Sequence, residues 1–385
     1  MFQDVNFRPL WSLDPSVKYL NHGSYGACPV AVLQKQELLR QELEREPTAF
    51  FGPTFDSRLN TCREALATFV GADAQDIVFV PNASTGVNAV LRSLRFEPGD
   101  ELLATNVTYC RKALDFVAAR SGARTVIAEL PFPLRNDGEI VTAVLSNVSS
   151  RTKLALLDHV TSSTGVITPV EPLVQELRNK GIDVLVDGAH APGMIPLSLA
   201  NLGAAYYTGN AHKWLCAPKG AAFLHVRRDR HSRLHPTVIS HGFGGGLHAE
   251  FDWTGTCDPT PWLCIPEVIR YLDGLVTGGW KEIMSRNHDL AVAARSHLLK
   301  VLGTELSCPD SMIGSMAAVL LPVAEEGSIA SCMDVDQLSA LFRQRGISAW
   351  FSLQSPPRVR ISAQLYNDIE EFETLGNLIC DVFWR

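Results

Sequence analysis

A chain of 385 residues, 46% hydrophobic and 19% charged, is long enough for two or three packed domains. Its net charge of −7 carries no basic block, which argues against a nucleic-acid partner, and no apolar run approaches the length that spans a bilayer. The nine cysteines form no C-x-x-C pair, and MFQDVNFRPLWSLDP at the start has no apolar core, so the expectation is free thiols in a reducing cytoplasm, with neither a metal site nor a signal peptide. In chain order, periodicity predicts helices over 29–46 and 54–70, the second stopped by Gly71. Strands and helices then alternate. DIVFV is followed by the helix STGVNAVLRSL, ELLAT by YCRKALDFVAAR, RTVIAEL by a helix over 139–147, and KLALLDHV by a helix over 169–180. DVLVDGA, AAYYTGN and AAFLHV are the next strands. Short apolar strands alternating with helices predict an α/β fold on a mostly parallel sheet covered on both faces.

Beyond residue 257 the pattern changes. Helices over 261–276 and 279–302 precede SMAAVLLP, a helix over 335–345, ISAWFSL, RVRISAQLY and a terminal helix from Asp368. This predicts a smaller α+β domain over 277–385, joined at TGGW and completed by the segment 1–19, with the large domain over 20–276.

In an open parallel sheet, ligands bind beyond the carboxyl ends of the strands. After IVFV, the loop PNASTG can present Ser84, Thr85 and backbone N–H groups to a phosphate, although an ordinary helix cap reads the same way. Asp187 ends the apolar strand DVLVD, with His190 three residues on; a carboxylate there needs a partner. After YYTGN come His212 and Lys213, a lysine inside an apolar stretch. Lys219, in a Pro-Lys-Gly turn, reads as a solvated corner. A phosphate loop, a buried carboxylate and a lysine on one sheet edge are what pyridoxal 5′-phosphate (PLP) requires. They would hold its phosphate, its ring nitrogen and its aldehyde. The run GFGGG at 242–246 follows no clear strand and opens no helix, so it reads as a loop; His231 and His235, among arginines, make a poor metal pair.

With these residues in place, the chain resembles the fold-type-I PLP enzymes of the class V aminotransferase family, in particular the isopenicillin N epimerase-like branch. The likeness is carried by YLNHGSYGACP, PNASTGVN, HVTSSTGVITPV, VDGAHAPG, GNAHKWLCAPKG, WTGTCDPTPW and RVRISAQLYN. The resemblance implies that Lys213 bonds the cofactor and that Asp187 partners the pyridine nitrogen. It places Ser162 and His190 at the 3′-oxygen, although cysteine desulfurases usually carry asparagine at the position of Ser162. It assigns Ser84, Thr85, Asn210 and His212 to the phosphate and Tyr109 to stacking on the ring. Thr256 would reach the phosphate of a partner subunit, implying a homodimer. Arg360 would bind the substrate α-carboxylate as a bidentate clamp, with Arg358 as second candidate, and Asn21 and His22 would sit at the substrate mouth.

The implied function is a PLP-dependent enzyme acting at the α-carbon of an amino acid or small peptide, isopenicillin N epimerase-like. The alternative is a carbon–sulfur lyase of the cysteine/cystine lyase or desulfhydrase type; a non-catalytic PLP-fold module and a transaminase are further readings. Persulfide transfer is disfavoured, because GISAWFSLQSPPRVR contains no cysteine and Cys332 precedes a helix.

Overall fold

Seven apolar segments between Ile77 and Val226 pair into one sheet. A computed structural model describes residues 6–384; residues 1–5 of the predicted N-terminal segment, and Arg385, lie outside the described residues. In chain order the strands are β1 (Lys18–Tyr19), β2 (Ile77–Val80), β3 (Glu101–Thr105), β4 (Arg124–Ala128), β5 (Thr152–Asp158), β6 (Asp183–Asp187), β7 (Tyr206–Asn210) and β8 (Ala222–Val226). The seven-stranded sheet has the order β2-β8-β7-β6-β5-β3-β4. Neighbours from β7 to β4 run parallel, and β8 is antiparallel to both β2 and β7. This is the mostly parallel α/β fold expected. Successive side chains go to opposite faces: Leu154 and Leu156 of β5 join one apolar core, Ala155 and Leu157 the other. Burial on both faces explains why these strands read as continuous apolar runs.

Four further strands complete the fold: β9 (Met316–Leu320), β10 (Ile347–Ser348), β11 (Trp350–Ser352) and β12 (Arg358–Ser362). β11, β12 and β9 form an antiparallel sheet, and β10 pairs in parallel with β1. The helix Gly279–Leu302 lies against the terminal helix Ile369–Trp384. Among the described residues no helix is long and apolar enough to cross a membrane.

Several sequence expectations are refined. The helix Phe55–Val70 ends as predicted at Gly71, whose φ of 64° is the left-handed conformation that glycine adopts without a Cβ clash. The helix expected over 261–276 is two pieces, Thr260–Leu263 and Ile265–Asp273, because Pro266 offers no N–H to continue the first. ISAWFSL divides between two sheets as β10 and β11. GFGGG does open a helix, the short Leu247–Phe251, with Gly244 N–H donating to Glu250 Oε1 at 3.2 Å.

Candidate active site

Three adjacent strands end in polar residues. Asp158 closes β5, Asp187 closes β6 and Asn210 closes β7. Asp158 and Asp187 are register partners, so their carboxyl groups leave the sheet side by side into one cavity. Both are buried. Asp187 Oδ1 accepts from Ala189 N–H at 3.0 Å and Asp158 Oδ1 from Tyr109 N–H at 3.5 Å, while Asp158 Oδ2 has no partner. Burial pushes the Asp158 carboxyl well above the usual carboxylate range, and the neighbouring Asp187 charge adds to this. Burial also raises Asp187, opposed by the Ala189 N–H and the positive charge of Lys213.

Lys213 sits in a tight turn after β7, closed by Cys216 N–H to Lys213 O at 2.9 Å and Ala217 N–H to Ala211 O at 3.0 Å. The NHGSYG loop packs on that turn: Gly26 has φ 72°, and a Cβ there would lie 2.0 Å from His212 O and 2.9 Å from Lys213 Cα. The Lys213 amine reaches 3.1 Å from His190 Nε2, and Trp214 Nε1–H points at His190 Nδ1 at 3.5 Å. Burial, then the Arg360 charge, lowers the Lys213 pKa to about 8. Burial and Lys213 drive His190 well below the ordinary imidazole range. A neutral imidazole accepting from Trp214 at Nδ1 carries its proton on Nε2 and can donate it to a neutral amine, the form of lysine that reacts with carbonyls. Lys219 is exposed and outside the cavity.

Arg360 is 2% exposed, yet all its hydrogen-bond partners are neutral. Nη1 donates to the Ser162 carbonyl and hydroxyl, Nη2 to Asn21 Oδ1 at 3.0 Å and Ser24 Oγ at 2.8 Å, and Nε is unpartnered. Burial lowers its pKa to about 10, which leaves it charged at neutral pH and, among the described residues, without a counter-ion. It stands directly behind Ser24 and Ser162, which line the cavity. Arg358 lies outside this cavity.

Beside the floor, the helix Ala83–Ser93 is capped by Asn82, whose Oδ1 accepts from Thr85 N–H at 2.8 Å and from the Thr85 hydroxyl at 3.1 Å. Asn210 Oδ1 accepts from Ala83 N–H at 2.8 Å, tying the helix start to β7. Ser84 faces the cavity; Thr85 is engaged with its cap instead. His212 Nδ1 donates to the Ala221 carbonyl at 2.9 Å, so it could donate to an anion from Nε2 only when doubly protonated. Burial lowers its pKa to about 4.

The cavity thus brings together Ser84, Tyr109, Ser162, Asp187, His190, Asn210 and Lys213. Thr85, His212 and Asn21 lie outside its lining, and Thr256 is exposed elsewhere on the surface. His22 is not at the mouth: it is fully buried, with Nδ1 2.8 Å from Tyr366 OH and Nε2 3.0 Å from Lys213 O. The physical reason is that its two ring nitrogens are held behind the lysine turn, one by the Tyr366 hydroxyl 344 residues away and the other by the Lys213 carbonyl. Three polar lining residues escape the sequence reading: Ser24, Asn82 and Asp158. The signal for Asp158 was available, because LALLD ends in a carboxylate just as DVLVD does. His231 and His235 face separate carboxylates, Asp76 at 3.0 Å and Glu250 at 2.7 Å.

Comparison with known proteins supplies the wider context. Residues 48–375 match the family described as aminotransferase class-V. The chain is 34% identical to isopenicillin N epimerase of Streptomyces clavuligerus, covering 95% of each. It is 33% identical to a probable chloroplastic L-cysteine desulfhydrase of Arabidopsis thaliana, over 95% of this chain and 83% of that one. A solved structure of C-DES with glycine covalently linked to its PLP cofactor superposes with a TM-score of 0.79 at 19% identity, over 95% of this chain and 97% of that one, which bears out the fold. The residues present fit PLP on their own chemistry: two buried carboxyl groups with an unpartnered oxygen, a lysine amine of lowered pKa, and a helix start open to the same cavity.

Proposed function

The chain belongs to the class V aminotransferase family, whose members use pyridoxal 5′-phosphate, and from that premise we propose that it moves the α-proton of an amino acid or small peptide in an isopenicillin N epimerase-like reaction. The observation that carries this reading is the Lys213 amine, 3.1 Å from His190, at the edge of a cavity floored by Asp187. PLP, when bound, supplies an aldehyde for an amine and a protonated ring that withdraws electrons from Cα. Asp187 would keep the proton on the pyridine nitrogen, His190 and Ser162 would donate to the 3′-oxygen, and Tyr109 would stack on the ring. Ser84 and the amide of Asn210 would hold the phosphate at the helix start, where the Ala83 and Thr85 N–H groups are already given to Asn210 and Asn82, with Thr85 and His212 around it. Arg360 exchanges a neutral acceptor for the substrate α-carboxylate, which supplies its missing counter-ion, and Asn21 keeps the guanidinium oriented. The Lys213 amine would take the Cα proton as base, and inversion requires that a proton return to the opposite face of Cα from a group other than Lys213.

We further assign residues 20–276 to the cofactor-binding domain and 277–385 with 1–19 to the smaller one. A homodimer in which Thr256 serves the partner's site accounts for its exposure here, and the cytoplasm suits nine free thiols. The second reading, a carbon–sulfur lyase, is favoured by the likeness to the desulfhydrase, and it uses the same Lys213 and Asp187. Incubating the holoenzyme with candidate amino acids in deuterated water tests both. Deuterium at Cα with mixed stereochemistry supports epimerisation; pyruvate, ammonia and sulfide or a thiol support the lyase. Absence of α-exchange and of products across a broad substrate panel would refute both.

A further inference from the structure

Cys216, three residues past Lys213, is the one non-glycine residue with positive φ among the described residues, at 62°. A side chain in that region opposes its own backbone preference, so the surroundings must fix the turn. The Cys216 N–H closes the turn on the Lys213 carbonyl at 2.9 Å, and His22 Nε2 meets the same carbonyl at 3.0 Å. A carbonyl only accepts, so Nε2 carries the proton, and Nδ1 then accepts from the Tyr366 hydroxyl at 2.8 Å. Burial lowers the His22 pKa to about 3, which keeps the ring neutral.

His22 also reaches the lysine amine by a second route. Its ring centre lies 4.8 Å from that of Trp214, whose Nε1–H points at His190, and His190 faces Lys213 Nζ. Gln364 completes the cluster: its Nε2 donates to the Cys216 sulfur at 3.7 Å, and its Oε1 accepts from Asn287 Nδ2 at 2.8 Å. His22, Cys216, Gln364 and Tyr366 are all buried, and none of them lines the active-site cavity. Burying polar side chains is costly, but a network whose members are satisfied holds one geometry where an apolar core would allow several.

The sequence neighbours of His22 hold the substrate side of the site. Asn21 Oδ1 and Ser24 Oγ accept from Arg360 Nη2 at 3.0 and 2.8 Å, and Gly23 N–H donates to Ser362 Oγ at 3.1 Å. One short segment therefore grips the guanidinium with two side chains and the lysine turn with a third. We infer that His22 is a positioning residue that sets the Lys213 amine relative to Arg360, and so relative to the Cα of an amino acid whose carboxylate Arg360 holds. This rests on the roles proposed above for Lys213 and Arg360 and names what keeps the two in register.

The test compares His22→Phe with two amides: His22→Gln, whose nitrogen can take the place of Nε2, and His22→Asn, which reaches only the place of Nδ1. Two quantities are read. One is the pH at which Lys213 of the cofactor-free protein is half labelled by an amine reagent; the other is kcat and KM of the holoenzyme for α-hydrogen exchange. His22→Phe and His22→Asn should raise the Lys213 midpoint by about one pH unit, toward that of a solvated lysine, with other lysines unmoved. The midpoint also answers to His190, Arg360, Asp187 and Cys110, which these substitutions leave unchanged. In the same two variants kcat should fall by up to about a hundredfold, as for a reacting group displaced by about 1 Å, with KM altered far less. His22→Gln should recover most of both losses, which a purely structural role would not predict. Circular dichroism and retained cofactor absorbance certify folding, and if His22→Phe does not fold, the Gln and Asn variants decide between them. Equal behaviour of those two, or a Lys213 midpoint and kcat that none of the substitutions moves, overturns the inference. Failure of the proposed function looks different: the parent shows no α-exchange, and the Lys213 midpoint alone then decides the role of His22.

Discussion

Asp158, Asp187 and Asn210 close three adjacent buried strands and are almost inaccessible, whereas Tyr109, on the rim, is 72% exposed. The floor takes its electrostatics from burial inside the chain. Every charge there is perturbed because the sheet removes water and leaves few partners. Rim side chains have no comparable constraint from this chain. The comparison suggests that the chemistry resides in the floor and that the rim adjusts access and fit, and variants of the two regions can separate these roles.

The largest effect is expected at Lys213. Lys213→Ala should abolish turnover and the covalent link to the cofactor, read as loss of borohydride-fixed cofactor from the peptide that holds residue 213. Fixation at Lys219 instead would move the chemistry from floor to surface. Next is Asp187→Ala, which removes the charge facing the ring nitrogen. A preorganised electrostatic partner of this kind supplies roughly 3 kcal/mol, so α-exchange should slow about a hundredfold or more while the protein stays folded. A near-normal rate would transfer the role to Asp158, its register neighbour.

The floor should also titrate differently from the surface. In the cofactor-free protein the Lys213 amine has its pKa lowered to about 8, so its neutral, reactive form appears at lower pH than in an ordinary lysine. Labelling with an amine-directed reagent should rise for Lys213 through about pH 8. Solvated lysines should still be climbing toward pH 10. A Lys213 labelling curve that coincides with theirs would show that burial is not what tunes the floor.

The floor was largely legible in the sequence. A polar residue at the end of an apolar strand is a local signal that Asp187 carries, and Lys213 stands out three residues past the end of β7; Asn210, which closes β7, enters the sequence reading only through the resemblance. Asp158 carries it too, but its pairing with Asp187 is not legible, since the two are 29 positions apart and only sheet register brings them together. His22 shows the opposite failure. Its local context suggests an exposed polar cap, but tertiary contacts with Tyr366 and the Lys213 carbonyl bury it. Local sequence makes Thr85 a candidate ligand donor, whereas Asn82, three residues earlier, caps the helix and takes its hydroxyl. Tyr109 on the rim is legible only through family likeness, because nothing in local patterning marks it, and the same holds for Thr256 elsewhere on the surface.

Between floor and rim stands Arg360, buried but joined to the Asn21–Ser24 loop. Arg360→Lys keeps a positive charge and loses the planar fork. It should raise KM about tenfold while leaving cofactor uptake intact, checked by steady-state kinetics beside cofactor absorbance. An unchanged KM would shift α-carboxylate binding to Arg358.

The smallest effect is expected from the exposed Cys332, which belongs to the single turn Ile329–Cys332 and lies outside the cavity. A sulfur-transfer mechanism needs a thiolate near the substrate side chain. The segment 353–357 leading to β12, part of which walls a second cavity, contains no cysteine. Cys110 is the thiol by the floor, 3.8 Å from Ser84 Oγ, and burial together with the Asp187 charge pushes its pKa up, away from the thiolate. Neither thiol is therefore poised to attack. Cys332→Ser should leave α-exchange, stereochemical scrambling and any elimination products unchanged within experimental error. If it instead abolishes turnover, and mass spectrometry finds a persulfide on Cys332 of the parent, then a surface segment carries covalent chemistry and the assignment of catalysis to the floor fails.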